Sequence, residues 1–240
     1  MTRRERLANA AGVARKVSAY NLKIIFANRF AYFMLAAFLF FLGVAAIIFF
    51  SSESDPGPAS VYYLLILPGL LVIFYPTAFG IQNDVDARMI ETLFGIPDYR
   101  YKVWLARVAL IWVIVFAILV VLTVLSSLIL VRVPILRMLY QLMFPIFFIG
   151  SLAFMFSTVV RSGNGTAVII VVTGMGFWLA SVPLSKSKWN LFLNPFAIPT
   201  DMSESIWAGI VFDNRVMIAV ASVLAILAGL YNLQKREKFI

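Results

Sequence analysis

Residues 83–100, NDVDARMIETLFGIPDYR, place a charged segment between two long apolar stretches and thereby divide the chain into membrane-spanning parts. Extended to Arg107, this segment carries four acidic and four basic side chains. Apolar residues recur every four positions from Ile81 to Leu93, which predicts a helix with one apolar face. Surface helices that bind lipid headgroups favour Lys and Arg. The balanced charge therefore indicates a contact with protein.

On either side of this segment the chain is mostly apolar, with 62% hydrophobic residues and a mean hydropathy of +0.96. About 20 apolar residues are needed to cross the ~30 Å hydrocarbon core of a bilayer. Six spans without Asp, Glu, Lys or Arg meet that requirement, and they are residues 30–50, 61–83, 108–131, 138–160, 162–185 and 216–234. The sequence therefore predicts an all-α integral membrane protein with six transmembrane helices in one polytopic domain, residues 1–240.

Lysine and arginine predict the orientation, because these residues accumulate in cytoplasmic loops. With both termini in the cytoplasm, 15 basic residues lie inside and five lie outside. The same distribution accounts for the net charge of +9. The basic residues flank spans and form no cluster interleaved with aromatic residues, so we do not expect a nucleic-acid partner.

Two segments outside the spans are predicted to lie at the membrane surface. Residues 3–28 place basic side chains among apolar residues at helical spacing, which predicts an amphipathic helix on the cytoplasmic leaflet, with a partly disordered basic tail as the alternative. Residues 184–215 combine Trp and Phe with polar side chains, a composition typical of the interface. We expect short re-entrant or surface helices there.

The sequence lacks the residues that usually form disulfide, metal, nucleotide and ion-coupling sites. The chain has no Cys and no His, and it contains neither a G-x-x-x-x-G-K-[ST] phosphate loop nor a G-x-G-x-x-G fingerprint. None of the six predicted spans holds an ionisable residue of the kind that coupling ions require. We therefore expect no catalytic, cofactor or metal site in the chain, and energy for any work has to come from a partner.

Prolines interrupt the second predicted span. Pro68 and Pro76 remove backbone donors from a helix and should bend it. Such a kink either borders a cavity or serves packing alone, and the sequence leaves both alternatives open.

An embedded enzyme is the first rival to a transport function. Asp84, Asp86 and Arg88 partly match the D-x-x-D-G-x-x-A-R motif of CDP-alcohol phosphotransferases, but the glycine and the later D-x-x-x-D pair are missing. An ideal helix also points Asp84 and Asp86 about 200° apart, whereas a magnesium site needs convergent carboxylates.

The complete layout resembles the permease of ATP-binding cassette transporters, in the type 2 exporter family. The resemblance covers the amphipathic helix before Phe30, the six spans, a coupling helix at 82–94 and the outer helices between spans five and six. ETLFGIPDYRYKVWLARV is similar to the family pattern of an acid, Thr, a hydrophobic pair, then Pro and a basic residue before span three. Asn194-Pro195-Phe196 resembles the NP before the last span, and the basic tail resembles the family's closing run.

The resemblance implies an assembly of two permeases, as a homodimer or with a similar permease, and two cytosolic ATPase subunits that use ATP and Mg²⁺. It implies a location in the cytoplasmic membrane of a bacterium or archaeon, with membrane lipid as a further partner. Residues that the family would place against the ATPase are Asp84, Asp86, Arg88, Met89, Ile90, Glu91 and Leu93. Polar candidates for a translocation path in spans two and five are Tyr75, Thr77, Thr166 and Thr173, with interhelical hydrogen bonds as their alternative role.

The predicted function is therefore the permease subunit of an ATP-driven exporter. Two alternatives stay open at this point. One is a non-transporting membrane anchor or assembly factor that recruits a cytosolic protein, and the other is a membrane-embedded lipid-head-group transferase.

Overall fold

The computed structural model describes residues 30–51, 56–86, 100–160 and 162–233. Six α-helices account for most of them: α1 Phe30–Phe50, α2 Pro58–Asp86, α3 Ala106–Ile129, α4 Ile135–Val160, α5 Gly163–Ser181 and α6 Glu204–Asn232. A π-helical turn, Arg100–Leu105, leads into α3. All six helices are long and apolar enough to cross a membrane. In the described part of the chain there is no β-strand, and the prediction of an all-α multi-pass membrane protein is confirmed.

Five of the predicted spans agree with the observed helices to within four residues at each end. The sixth is an exception, because α6 begins at Glu204 and the predicted span begins at residue 216. The side chain of Ser203 accepts a hydrogen bond from the amide of Ile206 at 3.4 Å and caps the start of α6. The charged residues Glu204, Asp213 and Arg215 therefore belong to the helix.

Helices α2 and α4 form the centre of the bundle. α2 packs against α1, α3, α4 and α5, and α4 packs against α2, α3, α5 and α6. One hydrophobic cluster receives buried residues from all six helices. The short turn between α3 and α4 makes these helices neighbours.

Glycines allow the two central helices to approach closely. A Cβ atom at Gly69 of α2 would meet the side chain of Ile146 on α4, and a Cβ at Gly150 of α4 would meet Ile73 on α2. Each helix thus offers a glycine to an isoleucine of the other. Small residues at such contacts favour tight packing between membrane helices.

The connection between α5 and α6 differs from the prediction. Residues 182–203 form a series of turns and contain no α-helix, so the expected short re-entrant helices are not found. Asparagine side chains bind the backbone there: the Asn190 amide donates to Ser181 O at 3.4 Å, and its carbonyl accepts from Phe192 N at 3.0 Å. These side-chain hydrogen bonds add to backbone bonds between residues three apart, such as Leu193 N to Asn190 O at 3.2 Å.

We name the two ends of the bundle by residues that lie there. At the Asn194 end, the start of α2 meets the α5–α6 connection, where Asn194 Nδ2 donates to Ala59 O at 2.9 Å. At the Asp84 end, the last turn of α2 meets the start of α3 and the start of α5. The predicted amphipathic helix at 3–28 lies outside the described residues, as does most of the predicted coupling helix at 82–94.

Candidate functional site

A buried ion pair closes the Asp84 end of the bundle. Arg107 Nη1 on α3 donates to Asp84 Oδ2 on α2 at 2.7 Å, and both side chains are at most 3% exposed. The same nitrogen lies 3.5 Å from Gly80 O, and the guanidinium lies over the ring of Trp104, 4.7 Å from its centroid. A short hydrogen bond between two charged groups is among the stronger side-chain contacts. It joins the end of α2 to the start of α3.

Apolar packing surrounds this ion pair. Ile81, Val103, Trp104 and Val108 form a buried cluster together with Phe154 of α4 and three residues at the end of α6, Ile226, Leu230 and Leu233. The two elements that flank residues 87–99 are α2 and the π-helical turn that leads into α3, and both contribute to this cluster with α4 and α6.

The start of α5 is connected to the same end of α2. Gly163 N donates to Gln82 Oε1, and a Cβ atom at Gly163 would meet Phe79 and Gln82. A glycine is needed at this position because α2 leaves no room for a side chain. Ser162 caps α5 by accepting from Gly165 N at 3.3 Å.

The residues predicted to contact an ATPase divide into two groups. Asp84 is 1% exposed and paired within the chain, so its carboxylate is not a surface docking group; this corrects the prediction for that residue. Asp86 is the last residue of α2, and its side chain is outside the described part of the structure. The other five residues, Arg88, Met89, Ile90, Glu91 and Leu93, also lie outside it.

Three charged residues that border the predicted spans are buried. The predicted spans held no ionisable residue, yet the observed helices bury Asp84, Arg107 and Arg215. All three lie near the ends of the bundle, where the observed helices extend beyond the predicted apolar spans. Each lies one residue outside a predicted span, so those spans hold no charged residue, as stated, and the longer observed helices include all three.

Three of the four path candidates are buried within the single chain. Tyr75 is 5% exposed and its ring stacks between Phe33 and Phe79, with centroids at 5.0 and 5.2 Å. Thr77 donates to Ile73 O of its own helix at 2.6 Å, so its bond is intrahelical and not the interhelical one considered as its alternative. These two side chains face protein and not open space.

The two threonines of α5 differ in environment. Thr166 is fully buried, and its hydroxyl has no hydrogen-bond partner among the described residues. Thr173 is half-buried, on a helix that leaves much of its surface exposed. Of the four candidates, only Thr173 reaches the surface of the chain.

Prolines occur in two central helices. Pro68 and Pro76 lie inside α2, as predicted, and Pro145 lies inside α4. An apolar cavity of about 310 Å³ adjoins α2, lined by residues of α1, α2 and α5 that include Phe33, Leu70 and Met175. A proline-containing helix therefore borders a cavity in this fold.

A second polar cluster, at the Asn194 end, was not anticipated from the sequence. Arg215 is 3% exposed and makes four hydrogen bonds, to Gln141 Oε1 at 2.7 Å, Asn214 Oδ1 at 2.8 Å, Leu193 O at 3.0 Å and Tyr62 OH at 3.2 Å. These bonds join α2, α4, α6 and the α5–α6 connection. Uncharged polar residues inside apolar segments, Gln141 above all, were the available signal for this cluster.

Comparison of the chain with protein-family models, with curated proteins and with solved structures finds no significant match. The fold and the two polar ends define the class as a six-helix membrane protein.

Proposed function

We propose that the chain is the permease subunit of an ATP-driven exporter, which docks on a separate cytosolic ATPase through residues 82–94. The observation that supports this proposal best is the buried Asp84–Arg107 ion pair, because it joins α2 and α3, the two helices on either side of that segment. A segment that receives mechanical work has to be attached firmly to the helices that it moves. The ion pair and the apolar cluster around Trp104 provide such an attachment.

Force applied to this segment would reach the rest of the bundle through α2. Helix α2 contacts four of the other helices, and its contact with α4 is interlocked by Gly69 and Gly150. Close-packed interiors transmit displacement because they have little free volume. A push at the Asp84 end would therefore move α2 and its neighbours together.

The translocation path in this proposal lies between two permease copies, along α2 and α5. Helix α5 packs mainly against α2 and α4 and exposes a row of apolar side chains, among them Val168, Val172 and Met175. The cavity of about 310 Å³ beside α2 and α5 has an apolar lining, which favours a substrate with a hydrocarbon part. ATP and Mg²⁺ would be bound by the partner ATPase.

The proposed orientation puts the Asp84 end in the cytoplasm. Both termini and the segment 84–107 would then lie on the side that carries 15 of the 20 basic residues. The cytoplasmic membrane of a bacterium or archaeon is the proposed location.

Purification in mild detergent tests the proposal. The full chain, co-expressed with the cytosolic ATPase proposed as its partner, should co-purify with it at comparable stoichiometry, and hydrolysis of ATP should respond to the permease. Insertion of a glycine after Met89, or Glu91→Lys, should uncouple hydrolysis from export while the chain still inserts and elutes as the parent does. A permease that elutes alone, or transport unaffected by both changes, contradicts the proposal.

The two alternatives predict different outcomes in the same preparation. A membrane anchor would recruit a partner whose binding does not depend on nucleotide. A lipid-head-group transferase would lose activity in Asp84→Asn without losing any partner. The position of Asp84, buried and paired with Arg107, favours a structural role for this carboxylate.

A further inference from the structure

A polar pocket of about 200 Å³ opens at the Asn194 end, between the starts of α4 and α6 and the α5–α6 connection. Its polar lining includes Arg137 and Gln141 of α4 and Glu204 and Arg215 of α6. None of these residues belongs to the segment proposed to contact an ATPase. The pocket therefore lies apart from the residues on which the proposed docking of an ATPase rests.

The charge of this pocket favours an anion. Arg215 is almost fully buried, and all four of its hydrogen bonds go to uncharged acceptors. Within the described ranges no carboxylate lies within 4 Å of Arg215 or of Arg137. A buried charge is costly unless an opposite charge compensates it. Glu204, at the exposed rim, leaves an excess of one positive charge.

An apolar groove lies beside this pocket, along α3 and α4. The groove has a volume of about 670 Å³ and is lined by Trp112, Val113, Phe116 and Phe147, among others. Tyr140 lines both the groove and the polar pocket, so the two cavities adjoin at this side chain. The volume lies within the ~300–1,000 Å³ of ordinary ligand sites.

We propose that this composite site binds one phospholipid, with its phosphate group between Arg137 and the buried charge of Arg215 and one acyl chain in the α3–α4 groove. A free phosphate would fill the pocket and leave the groove empty, and a detergent chain would fill the groove and leave the charge uncompensated. A phospholipid satisfies both parts. It would also hold α3, α4 and α6 together at one end of the bundle.

Native mass spectrometry of the delipidated full chain tests this site with three probes: phosphatidylglycerol, diacylglycerol with the same chains, and inorganic phosphate. Phosphatidylglycerol should remain bound at one per chain under activation that removes the other two. Arg137→Gln should reduce that occupancy at least fivefold. The matched control is Arg132→Gln, an exposed arginine in the preceding turn that does not line the pocket.

Two variants on α3 test whether the groove binds the acyl chain. Val113→Trp should fill it and reduce phosphatidylglycerol binding to the level of Arg137→Gln. Val121→Trp, on the same helix, has a similar exposure, 56% against 64% for Val113, and does not line the groove; it should bind as the parent does. Size-exclusion profiles show that each variant is folded.

Three outcomes would overturn the proposal. Equal losses in Arg137→Gln and Arg132→Gln would mean general attraction to surface charge. Retention of inorganic phosphate with no effect of Val113→Trp would mean an ion site without a lipid chain. Equal retention of diacylglycerol would mean that the groove binds without the pocket.

Discussion

The buried ion pair at the Asp84 end supports a quantitative prediction on stability. Replacement of Arg107 by Met keeps an unbranched stem against Trp104 but removes the donor to Asp84, whose carboxylate is 1% exposed. Removing one partner of a buried pair costs about 3–5 kcal/mol, since the remaining charge stays buried without compensation. For a chain of this size each kcal/mol lowers Tm by about 2–4 °C. We expect Tm to fall by about 6–20 °C.

The double variant Asp84→Leu/Arg107→Met separates the pair from other effects. Replacing both partners of a buried ion pair by apolar groups is often neutral, so the double variant should recover more than half of the lost stability. Thermal unfolding in detergent, followed by tryptophan fluorescence and checked by size exclusion, measures both variants. Arg132→Met is the matched control because Arg132 is exposed, and its Tm should equal that of the parent.

Two results would refute this reasoning. A decrease in Tm of less than about 3 °C for Arg107→Met would mean that this ion pair stabilises the protein little more than an exposed ion pair does. A double variant as unstable as the single one would mean that Arg107 stabilises the bundle through contacts other than Asp84.

Three further predictions concern packing, the α5–α6 connection and pH. Gly150→Val should lower the unfolding free energy by about 1–3 kcal/mol through overpacking against α2, whereas Gly174→Val, at a position with open space around it, should not; thermal unfolding distinguishes them. Asn194→Ala removes bonds to two backbone groups and should cost about 1–3 kcal/mol, measured in the same assay and refuted by an unchanged Tm. The pKa of the Asp201 carboxyl is lowered from 3.8, mainly because Lys186 donates a hydrogen bond to it. The Asp201→Asn variant should therefore differ slightly in Tm from the parent above pH 3.8, and this difference should vanish as the pH falls through the lowered pKa. A difference that persists in strong acid would contradict this assignment.

The positions of the helices were predictable because bilayer thickness sets the length of an apolar span. The start of α6 was missed because Glu204, Asp213 and Arg215 interrupt the apolar pattern. The partners that let Arg215 lie buried in a helix are far along the chain, such as Tyr62, which is 153 residues away. The hydropathy of one stretch of sequence contains no information about such a distant partner.

The candidate sites were harder to predict for a related reason. A threonine or tyrosine in a span is equally consistent with a path, an interhelical bond or a bond to its own helix. Thr77 satisfies its hydroxyl on the carbonyl four residues earlier, and Tyr75 is enclosed by aromatic rings from two helices. The charge of Asp84 was read as a surface feature because its partner, Arg107, lies in a different helix, 23 residues away.

The polar cluster around Arg215 has a consequence for the order in which the helices assemble during biosynthesis. Tyr62 and Gln141 belong to helices that are translated well before α6, and both depend on the guanidinium of Arg215 for a hydrogen bond. Until α6 is made, these polar groups have to find water or the headgroup layer. The hydrogen bonds at the Asn194 end are therefore complete only after the sixth helix has been made.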